Sequence, residues 1–165
     1  AEMGGTAEEF YNKGIELSFL ENGLSADAAA RYAADETSKP TDFTDVSAAN
    51  TKYNISALGK IAIKWNSGAS EEEQLERIIT QKWIANHMIG HEAWADVRRT
   101  GYPRLLQVVN NLSGGMWGNV DSSKGMRRLH YPQSEYDNNR ENVLKGVELL
   151  GGSDLHGTDV WWAKK

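Results

Sequence analysis

His87, His91 and Glu92 are the residues of this chain whose types and spacing come nearest to a metal site. On an unbroken helix the two imidazoles would share one face, at a spacing that zinc hydrolases use, with a carboxylate beside them. In the metalloprotease motif, however, Glu directly follows the first His, and here Gly90 also weakens any helix between the two histidines. We therefore interpret them as ordinary, partly exposed histidines, and a metal-dependent hydrolase is kept as an alternative hypothesis.

The sequence also lacks the residue patterns of glycoside hydrolysis, of phosphate-binding loops and of thiol chemistry. Glycoside hydrolysis needs two carboxylates about 5 to 9.5 Å apart, whereas the acids at 71–73 crowd one helix start and Asp154 and Asp159 lie in a tail without an evident pocket. The GGMWGN segment lacks the Lys and the strand-to-helix setting of a phosphate-binding loop. The chain has no Cys, which excludes a thiol nucleophile, a thiolate metal site and a disulfide bond. The sequence thus predicts no catalytic residues, no metal and no cofactor.

Tryptophans in loops indicate a different chemistry, the binding of sugars. A sugar buries a flat C–H face against an aromatic ring, while Asn, Asp, Gln and Arg meet its hydroxyl groups. Trp117, with Asn119 and Asp121, is the best local match, because the surrounding loop is rich in Gly and Ser and offers no evident packing partner. Trp65 with Asn66 and Asn54 is the second match. The alternative for each is a Trp that packs beneath its own loop.

Length, charge and apolar content indicate how many domains the chain forms and which partners it is suited to bind. With 165 residues, the chain is one domain or part of one. Its net charge of -5 argues against nucleic acid, which requires a basic face. An apolar content of 39% with 6 Trp is enough for a core. No signal peptide is visible, and no apolar run approaches the roughly 20 residues of a membrane-spanning helix.

The segment from Glu71 to Pro103 holds the longest helical pattern in the chain. It also carries His87, His91 and Glu92, so this helix would position the candidate metal ligands. Ser70 and Glu73 predict a capping box at its start, and the cations Arg98 and Arg99 suit its C-terminal end. A broad apolar stripe at helical spacing predicts that one side of this helix is buried. The stripe consists of Leu75, Ile78, Ile79, Trp83, Ala85 and Ile89.

Shorter elements are predicted on either side of this segment. The alternation of Ile61, Ile63 and Trp65 fits a short strand and a helical turn about equally well. Capping residues and apolar spacing predict three further helices. Their N-caps and approximate ends are Thr6 to Gly23, Ser25 to Ala34, and Asn139 to Leu150.

Three motifs resemble the signatures of the SusD/RagB family of surface lipoproteins, in that family's order and at about its spacing. They are EAWADVRRTGYPRL, RRLHYPQSEYDNN and the closing GGSDLHGTDVWWAKK. The opening TAEEFYNKGIELSFLENGLS also fits the family's later half, so the resemblance spans nearly the whole chain. The chain departs from the family at His130, where Pro is commoner, and at Val97, where an aromatic residue is common.

Most polar residues of the first two motifs are expected to be architectural rather than ligand-binding. Asp96 is predicted to pair with Arg99, and Glu92 with Arg98 or Arg99, near the end of the helix. The Arg127–Arg128 pair is predicted to anchor the tail rather than to bind an anion. The residues given this structural role are Glu92, Trp94, Asp96, Arg98, Arg99, Tyr102, Pro103, Arg127, Arg128, Tyr131 and Pro132.

The resemblance implies a mainly α-helical, SusD-like fold, an α-α superhelix of the tetratricopeptide type with long ordered loops. Residues 1–165 would be its C-terminal part, without the family's N-terminal half, signal peptide and lipidated Cys. The implied function is a non-catalytic, surface-exposed lipoprotein of the outer membrane that binds oligosaccharides or polysaccharides and works with a SusC-like TonB-dependent transporter in polysaccharide uptake. The family's glycan-binding aromatic residues lie mostly upstream, so no binding residue is transferred. A transporter-associated scaffold with no glycan binding of its own is a further alternative.

Overall fold

The structure, a computed structural model, describes residues 4–163 of the chain. Lys164 and Lys165, which close the third motif, therefore lie outside the described residues. In the described part the regular structure is helical, and the pairing of Phe43 with Ile55 is an isolated antiparallel bridge. The mainly α-helical fold class is confirmed. The α-helices are α1 (Ala7–Glu21), α2 (Ala26–Ala33), α3 (Glu71–Ala85), α4 (Gly90–Thr100), α5 (Gln133–Asn138) and α6 (Arg140–Leu150).

The chain divides into two compact units, with the boundary after Leu106. In the first unit α1 packs against α2 and α3, and α3 packs against α4. In the second unit α5 packs against α6. None of the described helices combines the length and the apolar character needed to cross a bilayer. Short 3-10 helices lie at Ala48–Tyr53, Gly115–Trp117 and Trp161–Ala163.

The first two helices begin at the caps that the sequence predicts. The side chain of Thr6 accepts a hydrogen bond from the Glu9 amide at 3.2 Å, and the Glu9 carboxylate accepts one from the Thr6 amide at 2.7 Å. This reciprocal pair satisfies two amides that a helix start would otherwise leave without a partner. Ser25 caps α2 in the same way, by accepting from the Ala28 amide at 3.2 Å.

The core of the first unit forms where α1 and α2 meet Trp65. The buried cluster consists of Tyr11, Ile15, Ala29 and Trp65. The ring centroids of Tyr11 and Trp65 lie 5.1 Å apart, and the Tyr11 hydroxyl donates to the carbonyl oxygen of Ile63 at 2.5 Å. Burial raises the pKa of Tyr11, so this hydroxyl keeps its proton and remains a donor.

The long central helix is interrupted, and its apolar stripe is mostly exposed. Helix α3 ends at Ala85, and α4 begins at Gly90 after a turn in which Met88 has a φ of 72°. Of the predicted stripe, Ile79 is buried, whereas Ile78, Trp83 and Ile89 are 38%, 39% and 44% exposed. The prediction of one buried apolar side is therefore wrong for the described residues, because α1 and α4 cover only part of α3.

Polar residues of α3 take buried positions instead. Ser70 caps the helix by accepting a hydrogen bond from the Glu73 amide at 3.2 Å. The predicted capping box also requires the Glu73 carboxylate to accept from the Ser70 amide, but this carboxylate accepts from Arg77 at 3.2 Å instead. Arg77, which is 4% exposed, also donates to the carbonyl oxygen of Ala62 at 3.1 Å. These bonds tie the helix to the irregular segment that precedes it.

Two further elements differ from the sequence-based expectation. The residues around Ile61 and Ile63 form neither a strand nor a helical turn. In the second unit, α5 begins after Pro132, where the sequence gives no apolar period to indicate a helix. Asn139 does precede α6, but its side chain makes no capping hydrogen bond. Helix α6 ends as expected at Gly151, whose φ of 67° suits a residue without a Cβ.

Candidate functional site

The suspected metal-ligating set is not assembled. His87 lies in the turn after α3, whereas His91 and Glu92 lie in the first turn of α4, so the two histidines do not share one continuous helix. All three side chains are exposed. Within residues 4–163 no group of three or more His, Asp or Glu side chains is arranged to hold a metal ion. The geometry therefore gives no support to a metal-dependent hydrolase built on these residues.

Trp65 is a core residue. Its side chain is 7% exposed and packs against Tyr11, so the expectation of a ring free to stack on a sugar is wrong. The neighbouring Asn66 is exposed, but its side-chain oxygen accepts from the Gly68 amide at 3.0 Å and closes a local turn. The structure thus does not bring Trp65 and Asn66 together as an open sugar-binding surface.

The loop that carries Trp117, residues 110–125, is ordered by side-chain hydrogen bonds to its own backbone. The Asn111 amide donates to the carbonyl oxygen of Val120 at 2.6 Å, and the Ser113 hydroxyl accepts from the Val120 amide at 2.9 Å. Gly114 and Gly118 have φ values of 144° and 73°, which residues with a Cβ rarely adopt. We call this segment the Trp117 loop.

Trp117 has packing partners that its sequence neighbours do not reveal. Its ring stacks on His130, with centroids 3.4 Å apart and planes at 20°, and it lies 5.8 Å from the ring of His156. The His130 Nδ1 and His156 Nε2 atoms are 2.9 Å apart. All three side chains are partly buried. We call this group the Trp117–histidine cluster.

Glycines allow the chain tail to approach the Trp117 loop closely. A Cβ on Gly157 would lie 2.6 Å from the carbonyl oxygen of Asn119, and a Cβ on Gly118 would lie 2.8 Å from the Leu155 side chain. Both distances are shorter than van der Waals contact, and because the neighbour of Gly157 is a backbone atom, a larger residue there would force the two segments apart. The backbone amide of His156 also donates to the Trp117 carbonyl oxygen at 3.2 Å.

The two polar residues predicted to accompany Trp117 have different environments. Asn119 has an exposed side chain. Asp121 is exposed as well, but one oxygen of its carboxylate accepts from the amides of Ser123 and Lys124 and from the Ser123 hydroxyl. These hydrogen bonds hold the pKa of Asp121 below its usual value. The structure therefore gives Asp121 the role of a turn-forming residue, and its contact with a ligand remains a prediction.

In the first motif, a buried carboxylate joins α3 to α4. Asp96 is 4% exposed and pairs with Arg99 at 2.9 Å, as the sequence predicts, and with Lys82 at 2.7 Å, which it does not. Burial raises the pKa of Asp96, but the hydrogen bonds from Lys82 and Arg99 outweigh it and hold the pKa below its usual value. The Arg98 guanidinium lies 4.5 Å from the Trp94 ring centre, a cation–π distance.

The end of the first motif is fixed to the start of α3. The Tyr102 hydroxyl donates to the Glu72 carboxylate at 2.9 Å, and this hydrogen bond, with burial, raises the pKa of Tyr102. Both Tyr102 and Pro103 are buried, and the peptide bond between them is cis. The contacts of Tyr102 and Pro103 are therefore structural. Glu92, by contrast, lies on the exposed side of α4.

In the second motif, two arginines bind acids of the tail. Arg127 Nε donates to Asp159 at 2.7 Å, and Arg128 forms an ion pair with Asp154. Asp154 also accepts from the Tyr131 amide at 3.0 Å and from the hydroxyl of Tyr136 at 2.7 Å. Burial raises the pKa of Asp154, but the bonds from Arg128, Tyr136 and Tyr131 hold it below its usual value.

The sequence model of a protein family decides what this chain is related to. The family described as "SusD-like: Susd and RagB outer membrane lipoprotein" matches residues 1–163. This chain belongs to the SusD-like family. The resemblance seen in the three sequence motifs is thereby confirmed.

Solved structures of SusD-like proteins share this fold. A chitin-binding SusD homologue from Flavobacterium johnsoniae is 42% identical, with a TM-score of 0.88 over 99% of this chain and 33% of its own. A SusD homologue from Bacteroides uniformis is 52% identical, with a TM-score of 0.82 over 99% of this chain and 33% of its own. A SusD-like protein from Bacteroides thetaiotaomicron is 44% identical, with a TM-score of 0.85 over the same shares.

The chain spans about a third of the length of these SusD-like structures. A comparison with curated proteins finds no match. The identities above 40% extend over nearly the whole chain, so the SusD-like fold applies to the described residues of both units.

The Trp117–histidine cluster is the part of this SusD-like chain that sequence reasoning missed. Its three members come from the Trp117 loop, the second motif and the tail. His130 and His156 are 26 residues apart, which is not a spacing that any local pattern would single out. The only signal was that His130 stands where the SusD/RagB family more often has Pro.

Proposed function

We propose that the protein to which this chain belongs binds glycans at the surface of the outer membrane and does not transform them. The observation that carries the proposal is the 42% identity, over 99% of this chain, to a SusD homologue described as chitin-binding. A second structure, 26% identical with a TM-score of 0.58, is also described as a chitin-binding protein. Chitin oligosaccharides are therefore the first ligands to test.

The proposed setting follows from the family. An N-terminal lipid would hold the protein on the outer membrane, and a SusC-like TonB-dependent transporter would receive the bound oligosaccharide or polysaccharide. A non-catalytic role is proposed because the 42% identical SusD homologue is described as a binding protein. The tail acids Asp154 and Asp159 are engaged with Arg128 and Arg127, as expected of structural residues rather than of a general acid and base.

Within this chain we propose the Trp117 loop as a contact for the glycan. Trp117 is only partly buried, and the amide of Asn119 is exposed on the same loop. An aromatic ring with a nearby amide provides an apolar face and a hydrogen-bonding group, the combination that sugars require. The stack on His130 also fixes the orientation of the indole, so a sugar would meet a ring that is already ordered.

The tail carries a second aromatic surface of the required kind. Trp161 and Trp162 are 77% and 61% exposed, and their rings meet edge to face with centroids 5.3 Å apart. The sequence indicates only that the two rings point to different sides and that at most one is core. Their exposure makes this pair the direct competitor of Trp117 as a glycan contact.

Isothermal titration of the intact protein with chitin oligosaccharides, starch fragments and plant glycans tests the function. We expect one class of glycan to bind, and binding to none of them would favour the scaffold without glycan binding. Trp117→Ala is expected to weaken binding at least tenfold, while Trp161→Ala leaves it unchanged. The opposite result would move the contact to the tail, and no effect of either variant would place the binding residues outside this chain. Far-UV circular dichroism and the melting temperature of each variant check that the helical fold is retained.

We also propose that this chain is the C-terminal part of a longer SusD-like domain whose upstream helices cover α1 and α3. A groove of about 490 Å³ runs along these helices and is lined by Phe10, Ile15, Phe19, Ile78 and Ile84. Of these residues, Phe10, Ile78 and Ile84 are 49%, 38% and 48% exposed, and a patch of exposed large apolar side chains is typical of a surface that contacts another segment. Helix pairs of the tetratricopeptide type, which the family resemblance implies upstream, are the proposed cover.

A further inference from the structure

Two imidazole nitrogens converge in the second unit. His130 Nδ1 and His156 Nε2 are 2.9 Å apart, with the rings tilted at 41° and their centroids 5.0 Å apart. A neutral imidazole has one N–H donor and one nitrogen lone pair, so one ring can donate to the other in this arrangement. Alternatively, both rings can place their protons on the outer nitrogens and direct two lone pairs toward one cation.

The surrounding structure holds the backbone of His156 and the ring of His130 in position. The backbone amide of His156 donates to Trp117, and its carbonyl oxygen accepts from the amides of Arg127 and Arg128 at 2.8 and 3.3 Å. The ring of His130 is stacked on Trp117 at 3.4 Å. Such fixed ligands bind a metal ion more tightly than mobile ones, because less conformational entropy is lost on binding.

The charges around the two histidines are balanced. Arg127 is paired with Asp159 at 2.7 Å, and Arg128 is paired with Asp154. Each guanidinium charge beside the cluster is therefore offset by a carboxylate. Both imidazoles are partly exposed, so an ion from solvent can reach them and retain water ligands.

We propose that His130 and His156 form a two-imidazole binding site for a divalent transition-metal ion, Cu²⁺ above all and Ni²⁺ next. Metal–nitrogen bonds of about 2.0 to 2.1 Å to two nitrogens separated by 2.9 Å subtend an angle of about 90° at the metal. That is the angle between neighbouring ligands in the square-planar and tetragonal geometries of Cu²⁺ and Ni²⁺, whereas tetrahedral Zn²⁺ requires a wider one.

The site would join the tail to the second motif next to the Trp117 loop. Metal binding needs both rings to turn until their two lone pairs point to one ion, and one ring to change its tautomer, with no proton released to solvent. No third His, Asp or Glu completes a metal-ligating group in the described part of the chain, so water or a small exogenous ligand fills the remaining positions. The inference departs from the sequence-based expectation of no metal, and it does not depend on glycan binding.

Titration of the intact, untagged, chelator-treated protein with CuCl₂ tests the site. We expect one Cu²⁺ per chain, quenching of tryptophan fluorescence because Trp117 touches a ligand ring, and an electron paramagnetic resonance spectrum with hyperfine splitting from two nitrogens. We also expect the melting temperature to rise with Cu²⁺, since an ion that binds the folded form stabilises it. His130→Gln and His156→Gln should each weaken binding at least tenfold.

The chain offers a matched control in its other two histidines. His87→Gln combined with His91→Gln removes the same number of imidazoles from exposed positions and should leave the tight Cu²⁺ site intact. Loss of binding in this control, or a tight site that survives His130→Gln, would overturn the proposal. A wild-type resonance spectrum without two-nitrogen splitting would overturn it as well, independently of how well the variants fold.

Discussion

The carboxylate of Asp96 lies 2.7 Å from the ammonium group of Lys82, and this ion pair connects α4 to α3 across the turn that separates them. The carboxylate side chain is 5% exposed, whereas that of Lys82 is 44% exposed. A second cation, Arg99, approaches the other oxygen at 2.9 Å. The first SusD-like motif thus supplies a buried anion whose two cationic partners reach it from the surface.

We predict that Asp96→Asn lowers the free energy of unfolding by about 1.5 to 3 kcal/mol, the usual contribution of hydrogen bonds to a charged group. The variant keeps the shape of the side chain and removes its charge. Thermal or denaturant unfolding of the intact protein measures the change. Glu141→Gln is the control, because the Glu141–Lys145 pair is 84% and 63% exposed and should contribute only about 0 to 1 kcal/mol. Equal losses in both variants would contradict this account of Asp96.

The same carboxylate should make part of the stability depend on pH. The pKa of Asp96 is lowered in the folded protein, so its contribution is fully present above the unfolded value of about 3.9 and is lost as the pH falls through the folded-state value. Melting temperatures between pH 3 and 7 should fall less steeply in Asp96→Asn than in the wild type below about pH 4. Parallel curves for the two proteins would show that Asp96 titrates equally in the folded and unfolded states.

Two tryptophans should differ sharply in their effect on stability. Trp65 is 7% exposed beside Tyr11, and we predict that Trp65→Ala costs about 3 to 5 kcal/mol, as large-to-small changes in a core do. Trp161 is 77% exposed, and Trp161→Ala should change stability by no more than about 0.5 kcal/mol. Denaturant unfolding of both variants measures the difference. A mild effect of Trp65→Ala would restore Trp65 as a candidate for sugar binding.

The close approach of the tail to the Trp117 loop leads to a prediction on glycine. A Cβ on Gly157 would lie 2.6 Å from the Asn119 carbonyl oxygen, a backbone atom that cannot simply rotate away. We expect Gly157→Ala to destabilise the protein by about 1 to 3 kcal/mol. Gly14→Ala in α1 meets no atom within 4 Å and should instead stabilise it by about 0.5 to 1 kcal/mol. The melting temperatures of the two variants should therefore shift in opposite directions.

Helix caps and helix ends could be predicted from the sequence, because they depend on residues that are close together along the chain. The caps at Thr6 and Ser25 need only a side chain and an amide three residues away, and Gly151 ends α6 by its own φ. The family motifs then supplied the fold, which no local pattern contains.

The partners that distant segments bring to each tryptophan could not be predicted. Trp65 and Trp117 both stand near Asn and Gly in sequence, yet one is a core residue and the other stacks on a histidine from another segment. The spacing of apolar residues on α3 indicates which side is suited to burial. It does not indicate whether the described helices cover that side, and they leave Trp83 39% exposed.

The exposed side of α3 provides the final prediction, which tests whether upstream helices cover it. Ile84 is 48% exposed in this chain and lines the groove beside α1, whereas Leu149 on α6 is 85% exposed. In the longer SusD-like protein that we propose, Ile84→Ser should lower the free energy of unfolding by about 1.5 to 3 kcal/mol, the value of a fully buried aliphatic side chain. Leu149→Ser should have an effect within about 0.5 kcal/mol. If both substitutions proved equally mild, the apolar side of α3 would face solvent in the longer protein too, and the proposed cover would be wrong.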